Sequence, residues 1–287
     1  MDTAVTFTNV SFSYPKREIE VVDGEILPKT NTNETTEIFG SISAELPAGM
    51  MSLVGQNGIG KSTLLLLAGG RIFPHTGSIE IFGKPTSDFA DAAIDPAVEH
   101  ERNRFVSFVY QNMEFESEET VGELLEFVYE NGFYEKKDSS FIPELIKTLE
   151  LESATGKKTQ HLAKGQLQRA IIAFSLLYGS KMIMMDEPVF ACEEPQKDRI
   201  FGFLLEFSRA NRVPIYYSAH NLELTQKYSD YMLLLDSNRN FKVGPTEELF
   251  ERKEIEAAYQ APMDALYRRD ALFRDVLTRS AKNFGSE

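Results

Sequence analysis

Nine residues constrain this chain more than any other feature. Gly55-Gln56-Asn57-Gly58-Ile59-Gly60-Lys61-Ser62-Thr63 follows the apolar run MMSLV (50–54) and precedes LLLLAGG (64–70), an order that reads as buried strand, glycine loop and helix. Glycines in such a loop let backbone N–H groups converge on phosphate oxygens, helped by the positive end of the helix that follows. The Lys61 ammonium would then hold the β and γ phosphates. The Ser62 hydroxyl would ligate Mg²⁺, which bridges phosphate oxygens and neutralises their charge. A plain turn ahead of a core helix shares the glycines, but it does not need the Lys-Ser pair.

A second acidic feature lies far downstream. Lys181 to Met185 reads as a buried strand and ends in Asp186 and Glu187. In a fold built round a phosphate loop, the ends of such strands hold metal and water chemistry. Asp186 suits Mg²⁺ and Glu187 suits polarisation of a water molecule. By itself the run fits equally well a strand terminus with a solvated turn; the loop upstream tips the reading towards chemistry.

The rest of the sequence supplies the frame. Residues 3 to 14 alternate like a half-buried strand that Pro15 should end, and Lys16 to Glu37 reads as a strand pair with an exposed loop around LPKTNTNETT. SIEIFG (78–83) and RFVSFVYQ (104–111) read as strands separated by an acidic, solvated stretch from Ser87 to Glu101. Between Glu118 and Leu151, apolar residues three and four apart indicate helices, followed by a further helix over Gln166 to Gly179. Ile200 to Ala210 reads as another helix, Pro214 to Ala219 and Tyr231 to Leu235 as strands, and Thr246 to Asn283 as a charged helical tail. Alternating strands and helices predict an α/β core.

Composition narrows the class. The 287 residues suit one large domain with subdomains or two small ones, and 42% apolar with 26% charged residues is ordinary for a globular chain. The net charge of −14 repels nucleic acid and anionic lipid, so nucleic acid is not an expected partner and membrane contact should run through another protein. Cys192 is the sole cysteine, which rules out intrachain disulfides and multi-thiolate metal sites and fits the cytosol. With no basic-then-apolar start and no run of 18 apolar residues, neither a secretion signal nor direct membrane insertion is expected.

Three further features fall in a fixed order: Gln111 after a strand, LAKGQLQR at Leu162 to Arg169, and His220 after PIYYSA. With the loop and the acid pair, the set resembles the ATP-binding cassette (ABC) ATPases over nearly the whole chain up to about Gly244. The resemblance implies a P-loop nucleoside triphosphate hydrolase core (α/β) with an antiparallel β subdomain and an inserted α-helical subdomain at about 112–165. The cassette domain would be 1–243 and the C-terminal helical tail 244–287. Gly55, Gln56, Asn57, Gly58, Gly60, Lys61, Ser62 and Thr63 would then form the Walker A loop that binds ATP, and Tyr14 in SFSY would stack on adenine. Glu187 would be the catalytic glutamate, His220 the switch histidine and Gln111 the residue that joins the metal site to the helical subdomain. Mg²⁺ would rest on Ser62, Gln111 and Asp186. Gly165 and Gln166, with their neighbours, would close over ATP held by a second cassette.

Two departures from the family pattern stand out. The signature LSGGQ is here Leu162-Ala163-Lys164-Gly165-Gln166, and the segment usually reading SALD is Phe190-Ala191-Cys192-Glu193. Losing a hydrogen bond to a charged group costs about 1.5 to 3 kcal/mol, enough to slow hydrolysis without abolishing it. Lys164 could supply charge in compensation, or face solvent. The resemblance implies a transporter ATPase that dimerises on ATP and sits on the inner face of the membrane through a transmembrane permease subunit. Its partner would be a second cassette, identical or different. Aromatic residues at 127, 129, 133, 134 and 141 are candidates for the permease contact and also fit a core. Two alternatives stay open: a cassette that binds ATP but turns it over little, and a soluble ABC ATPase without a membrane partner.

Overall fold

The computed structural model of the protein describes residues 2–22, 25–219 and 221–268. The chain opens with β1 (Thr3–Val22), β2 (Glu25–Pro47) and β3 (Met50–Val54), continues through α1 (Lys61–Ala68), and returns in β4 (Thr76–Ile81) and β5 (Lys84–Pro85). Strands β1, β2, β4 and β5 form an antiparallel sheet in the order β2-β1-β4-β5. The first strand does not stop at Pro15, and residues 27–36 are strand, not loop. Pro15 pairs with Thr35 and the ladder continues to Val22↔Glu25. The last contact of β1 with β4 is Ser11↔Thr76, so beyond it β1 is paired on one side only, where a residue without an N–H is tolerated.

The second half builds a different sheet. It contains α2 (Pro96–Phe105), β6 (Val106–Val109), α3 (Val121–Asn131), α4 (Phe141–Thr148), α5 (Lys164–Leu177), β7 (Met182–Asp186) and α6 (Glu194–Asn211). Then follow β8 (Ile215–Ser218), α7 (Leu222–Tyr228), β9 (Tyr231–Leu235), β10 (Phe241–Pro245), α8 (Thr246–Leu249) and α9 (Arg252–Tyr259). The sheet order is β10-β9-β3-β8-β7-β6, parallel except for the β10–β9 pair.

Parallel strands buried on both faces read as continuous apolar runs, and alternate residues feed opposite cores. In β7, Met182 and Met184 join the core shared with α1 and the antiparallel sheet, while Ile183 and Met185 join the one shared with α3, α5 and α6. In β8, Tyr216 takes the first side and Ile215 and Tyr217 the second. The sheet is therefore a wall between the antiparallel sheet and the helices, and its strand ends are where side chains of both layers meet.

Several expectations shift. The acidic stretch 87–101 is not wholly solvated surface: a 3₁₀ segment at Thr86–Ala93 buries Phe89 and Ala92, and α2 starts on Asp95, whose carboxylate accepts the Ala97 N–H at 2.8 Å, with Pro96 as its first residue. That helix takes Arg104 and Phe105, so the strand expected over 104–111 is confined to Val106–Val109. Helices α3 and α4 occupy the expected helical region, and α3 carries a capping box between Thr120 and Glu123. At the C-terminus α9 packs Ile255, Ala258 and Tyr259 with Val54, Leu222, Met232 and Leu234, so this part of the tail shares a core with the sheet. The remainder of the expected tail helix, residues 269–283, lies outside the described residues. Among the described residues, no helix is long and apolar enough to cross a membrane.

Candidate functional site

The loop between β3 and α1 has a backbone that a side chain would not allow. Gly55 has φ +156° and a Cβ there would lie 2.8 Å from the Leu235 carbonyl oxygen; Gly60 has φ +120° and a Cβ would meet Ile38 and Phe39 at 3.0 Å. Gly58 has φ +74° and nothing within 4 Å of its Cβ position, so its outer face is open. The loop is thus tight against the protein at its ends and clear at its middle. Helix α1 begins at Lys61 with no side-chain cap on its first N–H groups, which leaves those donors to a ligand or water.

Lys61 is buried, and its ammonium donates to the carbonyl oxygens of Gly55 at 2.7 Å and Gln56 at 2.9 Å. A buried cation folded back onto its own loop can swing to an anion placed in the cradle. Ser62 is half-buried at the start of the helix, while Asn57 and Gly58 are exposed. The Tyr14 hydroxyl lies 3.4 Å from Thr63 Oγ1, its ring packs edge-on against Phe12, and the residue stays 38% exposed beside the loop. The Gln56 side chain instead turns away, with Nε2 donating to the Tyr259 carbonyl at 2.7 Å.

The sheet register brings the acids to the same end. Leu53 of β3 pairs with Ser218 of β8, and Ser218 pairs with Asp186 of β7, so the three lie in one row. At about 4.8 Å between strands, Asp186 is about 10 Å across the sheet from the residue two positions before Gly55. Asp186 is 7% exposed and accepts the Ser218 hydroxyl at 2.5 Å, while the same Ser218 oxygen accepts the Glu187 N–H at 3.0 Å. Glu187 stands at φ +48°, a left-handed conformation that this N–H contact helps to hold. The bond from the Ser218 hydroxyl to the Asp186 carboxylate is charge-assisted and contributes about 1.5–3 kcal/mol. Ser218 therefore fixes both acids, and nothing at the end of PIYYSA marks it in sequence.

Gln111 sits in an exposed turn two residues beyond Val109, which pairs with Met185, so it belongs to the same end of the sheet. His220 lies outside the described residues. Among the described residues no cluster of three or more His, Cys, Asp or Glu could hold a metal. Magnesium needs none here: it keeps hard oxygen ligands, commonly one or two carboxylates with substrate phosphates, and Asp186 with the Ser62 hydroxyl fits that donor set.

The LAKGQ segment is arranged differently. Gly165, the second residue of α5, lies so close to the 187–193 segment that a Cβ would stand 2.8 Å from the Ala191 carbonyl oxygen. Gln168, inside LAKGQLQR but given no role by the sequence, donates to the Glu187 carbonyl at 3.2 Å and accepts the Ala191 N–H at 2.9 Å. It latches α5 to the loop that follows the acids. Gln166 is spent on its own subunit, accepting the Ala163 N–H at 3.3 Å and donating to Ser153 at 3.1 Å. The Lys164 side chain is 85% exposed, 3.9 Å from the Glu114 carboxylate. Cys192 is buried beside Gln168, and burial pushes its thiol pKa up, so it stays protonated and unreactive near neutral pH.

A model of the ABC transporter family matches residues 39–190. The chain belongs to that family, as an ATP-binding subunit. The cassette is 31% identical over 254 residues to the energy-coupling factor transporter ATP-binding protein EcfA3 of Oenococcus oeni, across 86% of this chain and 80% of that one. It is 24% identical over 245 residues to the molybdenum import ATP-binding protein ModC of Vibrio cholerae, across 85% of this chain and 63% of that one, so it spans less than two thirds of this relative. Among solved structures, an ATP-binding subunit of an ABC transporter superposes with a TM-score of 0.68 at 20% identity, covering 93% of this chain and 99% of that one. The cbiO1 protein of Clostridium perfringens, part of the ABC transporter complex cbiONQ, superposes at 0.65 with 20% identity, covering 89% and 93%. At these identities the structures speak for the fold, an α/β core with flanking helices, and the cassette has it.

Proposed function

We propose that the cassette binds ATP with Mg²⁺ and hydrolyses it to drive a membrane transporter, through a permease on the inner face of the membrane and a second cassette. The observation that carries the reading is the row Leu53–Ser218–Asp186, which puts an open glycine cradle with a buried lysine and a buried acid at one end of one sheet. Lys61 would move from the loop carbonyls to the phosphates, and Tyr14 would stack on the base. Ser62, Asp186 and Gln111 would hold Mg²⁺, whose chemistry is to neutralise the charge gathered on the phosphates. Glu187 would polarise the attacking water and His220 would contact the γ-phosphate.

Of the aromatic residues considered for the permease contact, Tyr129 is buried and Phe133, Tyr134 and Phe141 are partly buried, while Phe127 on α3 is 64% exposed. Phe127 would then be the exposed aromatic of the docking surface. A cassette with no helix of its own for the bilayer, among the described residues, would reach the membrane through that contact.

Phosphate release measured for the wild type beside Glu187→Gln tests the reading. The variant is expected to fall at least about a hundredfold while still binding ATP. Equal rates in the two would overturn hydrolysis at this site. Purification of the native complex tests the partner: a complex without a membrane-spanning subunit would contradict the transporter role.

A slow-turnover reading is favoured by one observation. Ala163 stands where the family's signature serine would be and α5 has no side-chain cap there, while Lys164 projects into solvent. In a pair of identical cassettes both sites would share this deficit. In a mixed pair, the intact Lys61, Ser62, Asp186 and Glu187 would work against a partner's signature. Finding two identical cassettes in the native complex would reject the mixed pair.

A further inference from the structure

The C-terminal segment reaches the phosphate loop through one residue. Tyr259, the last residue of α9, is 6% exposed. Its hydroxyl accepts the Gly55 N–H at 3.3 Å and its carbonyl accepts Gln56 Nε2 at 2.7 Å. The carbonyls of Gly55 and Gln56 also accept the Lys61 ammonium. The first turn of the loop is therefore gripped from two sides, by Lys61 on the ligand side and by Tyr259 from the tail. The tail itself is fixed: Gln260 at its αL cap donates to Ser237 at 2.7 Å, Arg252 pairs with Asp264 at 2.9 Å, and Met263 N–H donates to Glu256 at 2.9 Å.

We infer that Tyr259 is a positioning residue for nucleotide binding, acting through Gly55 and Gln56; the inference rests on the reading of residues 55–63 as the ATP loop. Before nucleotide arrives, Lys61 and Tyr259 both restrain this turn. Once Lys61 turns to the phosphates it leaves the Gly55 and Gln56 carbonyls, and Tyr259 becomes the principal restraint. A contact that matters more in the bound state than in the free state changes affinity, whereas one that matters equally in both changes stability alone. Removing the hydroxyl also strands the buried Gly55 N–H, in a turn so close to Leu235 that a Cβ would stand 2.8 Å from its carbonyl oxygen. The nucleotide site is in this way completed by residues some 200 positions downstream, and displacement of the α9 end would loosen it.

The test compares Tyr259→Phe with Ile255→Val, which trims a buried methyl from the same core without touching the loop. Both are titrated with a fluorescent ATP analogue and Mg²⁺ at a temperature where melting curves show them folded, and steady-state phosphate release is measured at the same time. Tyr259→Phe is expected to raise the dissociation constant and KM about threefold to tenfold with kcat within about twofold, and Ile255→Val to leave all three unchanged. Gln56→Ala is expected to shift affinity in the same direction. Unchanged affinity in Tyr259→Phe, or an equal shift in Ile255→Val, would overturn the inference. Failure of the wild type itself to bind the analogue would instead defeat the ATP reading.

Discussion

Helices α1 and α5 both start without a side-chain cap, one on Gly60 and the other on Ala163, yet their surroundings are opposite. Ahead of α1 the chain is turned inward: Lys61 is 6% exposed and folded onto its own loop, and Gly55 and Gly60 are pressed against Leu235, Ile38 and Phe39. Ahead of α5 it is turned outward: Lys164 is 85% exposed and Gln166 is tied down locally. The first is a cradle completed by its own chain. The second presents a surface whose chemistry must come from outside, which suits a role at a contact with another cassette. What joins the two is the 187–193 segment, held by Ser218 on one flank and by Gln168 and Gly165 on the other.

Breaking the flank shared with the cradle should have the largest effect. Ser218→Ala removes a hydroxyl that serves both Asp186 and the Glu187 N–H, so turnover in an ATPase assay is expected to fall about tenfold to hundredfold, with a lowered melting temperature. Unchanged turnover would mean that the acids keep their places without it. The α5 flank comes next. Gly165→Ala forces a Cβ against the Ala191 carbonyl, an overpacking that costs about 1–3 kcal/mol and is expected to slow hydrolysis roughly tenfold while leaving ATP affinity within about twofold. A matching loss of affinity would show that the two regions are not separable. The smallest effect belongs to the outward surface itself: Ala163→Ser with Lys164→Gly should raise ATPase activity of the assembled complex about threefold. No rise would mean that Lys164 is adapted to its site.

The cradle was legible in sequence because glycine spacing, Lys61 and Ser62 are local and the flanking runs are strongly apolar. The parallel sheet was legible for a similar reason: MMSLV and MIMMD are buried at every position and apolar except for Ser52 and the terminal Asp186, as strands covered on both faces tend to be. The misreadings have physical causes. Pro15 signals a strand end, but one-sided pairing beyond Ser11 lets the ladder pass through it. Asp95-Pro96 carried a helix-start signal that the acidic bias of 87–101 masked. Ser218, Gln168 and Tyr259 were not legible, since each acts through a contact made by folding across 19 to 204 positions. A pattern search could have flagged Gln168 as part of LAKGQLQR; a serine at a strand end and a tyrosine in a helical tail carry no such mark.

The proposed function depends on a triphosphate being held at the β3–α1 loop with Mg²⁺ opposite, on Asp186. Calorimetric titration of the wild type and Lys61→Ala with ATP, with and without Mg²⁺, tests it most directly. Saturable, Mg²⁺-enhanced binding is expected of the wild type, weakened at least about tenfold in Lys61→Ala. No saturable binding by the folded wild type, or binding untouched by loss of Lys61, would contradict it.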